Sequence, residues 1–201
     1  MNIRPCGPLA CLIDCPSESV LSVAHTMRES GYFVDVVPSE LSVLVTWDPV
    51  VAITHQQILE LAHSAPEHLA NDSGRLCEIP VSYDGADLAD VALATGLSVA
   101  QVIELHTTTT FYAAFAGFAP GFMYCTGLAS QLVLPRRSSP RVAVPAGSVA
   151  IADLYSAVYP IESPGGWHLL GTTSVPMFDI ARNPVSFLSP GDTVRFVQVW
   201  S

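Results

Sequence analysis

Glycine and proline recur through the second half of this chain at intervals that leave room only for short strands. From Thr107 onward, β-rich runs at 132–134, 142–144, 148–152, 157–159, 167–170 and 193–199 are separated by glycine- or proline-bearing breaks, save for Asp153-Leu154-Tyr155-Ser156 between the third and fourth, and Pro190-Gly191-Asp192 turns the chain into the last run. Neither residue sustains a strand interior, so each break ends a strand and reverses or bends the chain. Many short strands with frequent turns predict an antiparallel sheet curled into a closed or nearly closed barrel.

The first eighty residues follow another rhythm. Residues 9–14 read as a strand, and 17–29 as a helix with Val20, Leu21, Ala24 and Met27 on one face and a stop near Gly31. Residues 32–37 and 41–47 read as strands joined at Pro38-Ser39, Thr54-His55-Gln56-Gln57 has the form of a capping box before a second helix, and 76–81 reads as a strand. The order β-α-β-β-α-β is that of a ferredoxin-like split βαβ layer. Two helices follow, near 86–94 and 99–105, with Ser98-Val99-Ala100-Gln101 as a second capping box. The chain is therefore expected to be α+β, with a ferredoxin-like α/β domain over 1–82 and a β-barrel domain over 83–201.

Charge excludes several functions. The net charge is −10, all eight basic residues are arginine, and there is no lysine. A phosphate-loop lysine, a Schiff-base lysine and a biotinylated lysine are thus ruled out on this chain. The helices at 86–105 resemble a helix-turn-helix, yet no arginine lies between Arg75 and Arg136, while Asp84, Asp87, Asp90 and Glu104 surround the pair. A duplex would repel such a face, so nucleic acid is not an expected partner.

The uncharged stretch 111–129 has the length of a membrane span, but Gly117, Pro120, Gly121 and Gly127 interrupt it, and two buried strands joined by a glycine-proline loop fit better. Asp14 breaks the first apolar run before it reaches signal length, and five cysteines without an export signal point to reduced thiols and the cytoplasm. Cys6, Cys11 and Cys15 lack paired metal-ligand spacing, so no metal site is expected. Cys125 has no cationic neighbour in sequence and reads as an inert buried thiol.

Three segments are too specialised for plain scaffolding. Gly117-Phe118-Ala119-Pro120-Gly121-Phe122 is a tight loop between phenylalanines, able to bring backbone N–H groups to a ligand or to plug a barrel corner. Pro135-Arg136-Arg137-Ser138-Ser139-Pro140-Arg141, leading into Val144-Pro145-Ala146-Gly147-Ser148, packs three of the eight arginines into six positions. Planar guanidiniums suit carboxylate or phosphate. Tyr155-Ser156-Ala157-Val158-Tyr159-Pro160 and Ser163-Pro164-Gly165-Gly166-Trp167-His168 allow close backbone approach beside an aromatic wall. His106 and His168 are the histidines placed to act as a general base.

These segments, in this order, resemble the family that includes the B-type subunit of the ATP-dependent bacterial 5-oxoprolinase, allophanate hydrolase subunit 1 and the sporulation-kinase inhibitor of bacilli (carboxyltransferase domain, subdomain C and D). The family run GF-x-PGF, PR…PR…VPAGSV, VYP…SPGGW is matched by residues 117–122, 135–148 and 158–167, and the His-Thr/Ser pair upstream by His106 and Thr107. The resemblance implies a cyclophilin-like barrel after the α/β domain and an active site completed by a homologous C-type subunit, with a metal-dependent A-type subunit as a further partner. It implies ATP, with Mg, in the assembled complex, acting on 5-oxoproline.

On that resemblance His106, Arg136 and Arg141 are the catalytic candidates. Phe118, Pro120, Gly121, Phe122, Pro145, Gly147, Ser148, Tyr155, Ser156, Tyr159, Ser163, Pro164, Gly165, Gly166 and Trp167 are the substrate-binding ones. It also admits a carboxyltransferase subunit of a urea carboxylase system, served by biotin on another protein, or a non-catalytic inhibitor of a sensor histidine kinase. Two positions depart from the family pattern. Residues 153–157 replace its Gly-x-Gln-Thr-Gly, and Thr172 stands where most members carry arginine.

Overall fold

The computed structural model describes residues 1–66 and 74–200, in two compact units, Met1–Asp72 and Ser73–Ser201. In the first, β1 (Asn2–Pro5), β2 (Ala10–Asp14), β3 (Asp35–Pro38) and β4 (Ser42–Thr46) form an antiparallel sheet in the order β1-β2-β4-β3. Helices α1 (Val20–Glu29) and α2 (His55–His63) bury Val23, Met27 and Ile58 in one cluster with Ile13, Val43 and Val45 of the sheet. The capping box at the start of α2 forms as expected, with Thr54 and Gln57 satisfying each other's backbone N–H.

The split unit β2-α1-β3 with β4 between its strands is present, but its outer strand is not the expected one. Order along the chain assigns residues 76–81 to this sheet. The edge beside β2 is instead taken by β1, pinned there by a two-pronged Arg4–Asp14 pair at 2.7 and 2.8 Å. The residues at 76–81 form β5 (Leu76–Val81) of the second unit, running parallel to β13 (Thr193–Gln198), where Cys77, Ile79 and Val81 join Val194 and Phe196 in its core. An alternating strand buries the same face whichever sheet receives it, so order cannot choose the partner.

The rest of the second unit comprises α3 (Leu88–Thr95), α4 (Val99–Thr108), β6 (Phe111–Ala116), β7 (Met123–Thr126), β8 (Arg141–Val144), β9 (Ser148–Ala152), β10 (Tyr155–Val158), β11 (Ser163–Gly165) and β12 (His168–Thr172). Seven strands run in the order β12-β9-β10-β7-β6-β13-β5, and β8 pairs with β11 as a separate ribbon. The two edges meet through Ser82 and Thr172, which exchange backbone hydrogen bonds of 2.9 and 2.8 Å. The sheet is thereby nearly closed, as the glycine and proline spacing predicts. Thr172, the departure from the family arginine, serves this closure and also donates its hydroxyl to Asp84.

Residues 111–129 begin with the β6–β7 hairpin, and among the described residues no single helix is long and apolar enough to cross a membrane. The run at 132–134 is not a strand; a short 3-10 turn at Ser130–Leu132 buries Leu132 instead. Helix α4 extends to Thr108, further than its sequence pattern indicates, and Thr107, Thr108 and Thr109 turn their hydroxyls back onto carbonyls of the preceding turn.

Strand β9 is buried at every position, so both faces of the sheet are covered there. Val149 and Val158 face the barrel core, while Ala150, Ala152 and Ala157 join an aromatic cluster on the other face. These small residues leave space in which Phe122, Tyr159 and Trp167 pack. Gly165 sits against the buried Tyr159: an added Cβ would run into the hydroxyl and lie 2.8 Å from Cζ, so the whole ring would have to move. Gly165→Ala is expected to destabilise this unit by about 1–3 kcal/mol. At Gly166 a Cβ meets only ordinary contacts, 3.6 Å or more from Arg137 and Pro140, so Gly166→Ala is expected to be near neutral. Thermal unfolding followed by tryptophan emission tests the pair, and equal effects would refute it.

Candidate functional site

The β6–β7 loop places Phe118 at φ 67, exposed, above Phe122, which is buried. Gly121, at φ 84, packs against Met177 and Phe178, where a side chain would not fit. From this loop a run of ring contacts reaches both parts of the third singled-out segment. Phe122 meets Phe118, Tyr159 and Trp167 edge-on at 5.2, 5.4 and 5.4 Å, and Tyr124 meets Tyr155 and Trp167 at 5.4 and 5.6 Å. Phe115 stacks on Tyr124 at 4.5 Å. The glycine-proline loop and the two aromatic segments therefore share one face. Phe122, Tyr159 and Trp167 are buried and build its floor, whereas Phe118, Tyr155 and Pro120 retain exposure. Burial raises the Tyr159 hydroxyl pKa, against a backbone hydrogen bond with Trp167 and the charge of Arg136, both of which lower it.

The arginine segment is laid against the same floor. Ribbon β8–β11 pairs Arg141 with Gly165 and Val144 with Ser163, and Pro164 between them is exposed. The Arg137 amide donates to the Gly166 carbonyl at 2.7 Å. Pro145 lies in the exposed turn into β9, where Gly147 (φ 81) and Ser148 exchange backbone bonds with Tyr159.

Beneath the arginines lies Asp87, 1% exposed, a residue the sequence does not single out. One carboxylate oxygen accepts from Arg137 Nη1 and Arg141 Nη2, each at 2.6 Å, and the other accepts from the Leu169 amide at 2.8 Å. Burial pushes this carboxyl up, but the hydrogen bonds from Arg141 and Leu169 and the charges of both arginines outweigh it, leaving the pKa below the ordinary value. Asp87 stands at the N-cap of α3 yet makes no capping bond with its side chain, which is committed to the arginines instead. Arg136 is differently placed: it is exposed and 3.5 Å from the equally exposed Asp153, a pairing worth little.

His106 is not at this site. It is fully buried on α4, with Nδ1 2.7 Å from the Tyr83 hydroxyl and Nε2 2.9 Å from Ser156 Oγ, between the rings of Phe111 and Phe196. Desolvation holds its pKa down at about 3, so it is neutral at physiological pH. Enclosed in the core with both ring nitrogens already hydrogen-bonded, His106 has no free atom to offer a substrate, and the general-base expectation gives way to a structural role; Ser156, its buried partner, shares that correction. His168 donates from Nε2 to the Pro135 carbonyl at 2.9 Å, which ties the arginine segment to β12; in the neutral ring that bond makes Nδ1 the acceptor. Cys125 is buried, and desolvation lifts its thiol to about 12, as expected of an inert residue.

With the geometry in place, likeness to known proteins bears on what it belongs to. The family model for the carboxyltransferase domain, subdomain C and D, matches residues 1–188. The chain belongs to this family. Among carboxyltransferase-domain proteins it is 37% identical over 184 residues to the B-type subunit of 5-oxoprolinase from Bacillus subtilis (strain 168), covering 83% of this chain and 76% of that protein. It is 52% identical over 126 residues to the B-type subunit of 5-oxoprolinase from Escherichia coli O157:H7, covering 61% of this chain and 58% of that protein. The crystal structure of TTHA0988 superposes with a TM-score of 0.85 at 32% identity over all of this chain, which corresponds to 41% of that one. The match thus spans little more than half of the Escherichia coli protein and less than half of TTHA0988.

Proposed function

We propose that this carboxyltransferase-domain chain is the B-type subunit of a heteromeric, ATP-dependent 5-oxoprolinase, inactive alone. In this reading 5-oxoproline, ATP and water yield glutamate, ADP and phosphate, at a site completed by a homologous C-type subunit. The observation that carries the reading is convergence: the loop at 117–122, the arginine segment and the 155–167 aromatics, distant in sequence, form one face. The names of the relatives supply the substrate.

Opening a lactam requires a stabilised oxyanion and a held substrate, and guanidiniums with backbone donors are suited to both. ATP supplies the driving force by phosphorylating the amide oxygen. Of this chain's groups, Arg137 and Arg141 fit a phosphate or carboxylate oxygen, since each keeps a buried N–H without an acceptor. Among the described residues no cluster of three or more His, Cys, Asp or Glu is placed to hold a metal ion, and the proposal assigns the metal-dependent step to an A-type partner.

Co-expression with C-type and A-type subunits is expected to give a stable complex that releases glutamate and phosphate in equal amounts when 5-oxoproline and ATP are both present. A folded, complete assembly with no 5-oxoproline-stimulated ATP hydrolysis would overturn the reading.

A further inference from the structure

Two guanidiniums, 29% and 25% exposed at the side chain, share the Asp87 carboxylate, which is 2% exposed, and Asp90 is a further acid whose charge reaches Arg141. The hydrogen bonds around them do not balance. Arg137 Nε and Arg141 Nη1 are buried without an acceptor, and His168 Nδ1 is buried without a donor. Among the described residues these three are the buried side-chain polar atoms with no partner, and all belong to segments tied together by Asp87, by Arg137 N–H to Gly166 and by His168 to Pro135. A buried donor left unmet costs about 1–3 kcal/mol, so two such donors and one unmet ring nitrogen, on segments hydrogen-bonded to one another, mark where an absent ligand belongs.

Two donors on cations and one neutral acceptor are complementary in kind to a carboxylate adjoining an N–H. 5-Oxoproline has that arrangement, its ring N–H and its carboxylate being carried by the same carbon. We propose that Arg137 Nε and Arg141 Nη1 bind the carboxylate of the small-molecule substrate and His168 Nδ1 accepts its N–H, with Asp87 as the positioning residue. The identity of the substrate rests on the 5-oxoprolinase reading; the carboxylate chemistry rests on the cluster. Arg136, paired at the surface, lies outside this set.

The test follows the arginine Nε–H resonances of the ¹⁵N-labelled full chain, alone and in the assembled complex, during titration with 5-oxoproline, with its carboxamide, and with inorganic phosphate. 5-Oxoproline is expected to shift the Arg137 Nε–H signal, and the carboxamide to bind at least tenfold more weakly, because charge-assisted bonds are lost. Arg137→Lys, which keeps the charge but not the planar fork, is expected to raise KM for 5-oxoproline at least tenfold while the thermal midpoint holds.

An unshifted signal in the complex, equal binding of acid and carboxamide, or a response to phosphate alone would each overturn the inference. The two failures are distinguishable. A complex that hydrolyses 5-oxoproline with an unaltered KM in Arg137→Lys removes the inference and leaves the function. A complex that hydrolyses nothing, but whose arginine signals still respond to 5-oxoproline and not to its carboxamide, removes the function and leaves the carboxylate site.

Discussion

Replacing Asp87 with alanine is expected to destabilise the barrel unit by about 3 kcal/mol, the largest loss from any single side chain at the candidate site. The carboxylate satisfies two guanidiniums and the Leu169 amide at once. Removing it strands two like charges beside each other and leaves a buried N–H unmet. Breaking a buried pair from one side costs about 3–5 kcal/mol, and the arginines' residual exposure places this case at the low end. Asp87→Asn has a single oxygen, which serves either the Leu169 amide or, as a neutral acceptor, the arginines; it keeps one of the two roles and should cost less than alanine. Denaturant unfolding followed through the barrel tryptophan Trp167 measures both. A loss below about 1 kcal/mol for Asp87→Ala would show that the arginines find other partners and that the cluster is not held as described.

The importance of Asp87 is not legible in the sequence, for a physical reason. An aspartate just before an apolar helix reads as an N-cap, and nothing local says that its carboxylate will face arginines fifty residues away. The loop at 117–122, the arginine run and the 155–167 aromatics are legible because each carries its own backbone constraint: left-handed φ at Gly121 and Gly147, and the close approach of Gly165 to Tyr159. His106 misleads through the same limitation. A helix-end histidine beside threonines has the polarity of a functional group, and only the packing of Phe111, Phe196 and Tyr83 around it reveals a core residue.

The fold divides along the same line. Local signals hold: both capping boxes form, β9 spans the residues expected for it, and the glycine-proline breaks do curl the sheet. Non-local choices do not. The strand at 76–81 pairs with one more than a hundred residues later, and β1, with one proline and a single aliphatic side chain, gives no strand signal of its own before β2 recruits it. Alternation fixes which face of a strand is buried, and the partner is decided by what the rest of the chain leaves open.

Acid should unfold the barrel unit earlier than its carboxylates alone would dictate, because of His106. The hydrogen bonds around it have one consistent direction. The Ala150 carbonyl can only accept, so Ser156 donates to it at 3.3 Å, His106 Nε2–H donates to Ser156, and Nδ1 accepts from Tyr83. The ring is neutral in that arrangement, and its neighbours Tyr83, Phe111, Ser156 and Phe196 carry no charge to compensate a proton. The unfolded chain takes up that proton near 6.5, whereas the folded chain resists it to about 3. Between those values the unfolded state binds more protons, so the contribution of His106 is complete above 6.5 and is lost as pH falls toward 3. The full interval corresponds to about 5 kcal/mol, and by about pH 4.5 roughly 2–3 kcal/mol is already gone. Asp87, whose pKa is lowered, contributes in the same direction but only below the ordinary carboxylate value of 3.8, so above that pH the decline belongs to His106 and not to Asp87. Unfolding free energies measured from neutral pH down to about pH 4.5 are therefore expected to fall steadily in the native chain. In His106→Gln, where the neutral amide keeps a donor and an acceptor without a titrating proton, they should fall by less than half as much. Parallel curves for the two proteins would show that His106 is hydrated or already charged in the fold, and the structural role assigned to it would fail.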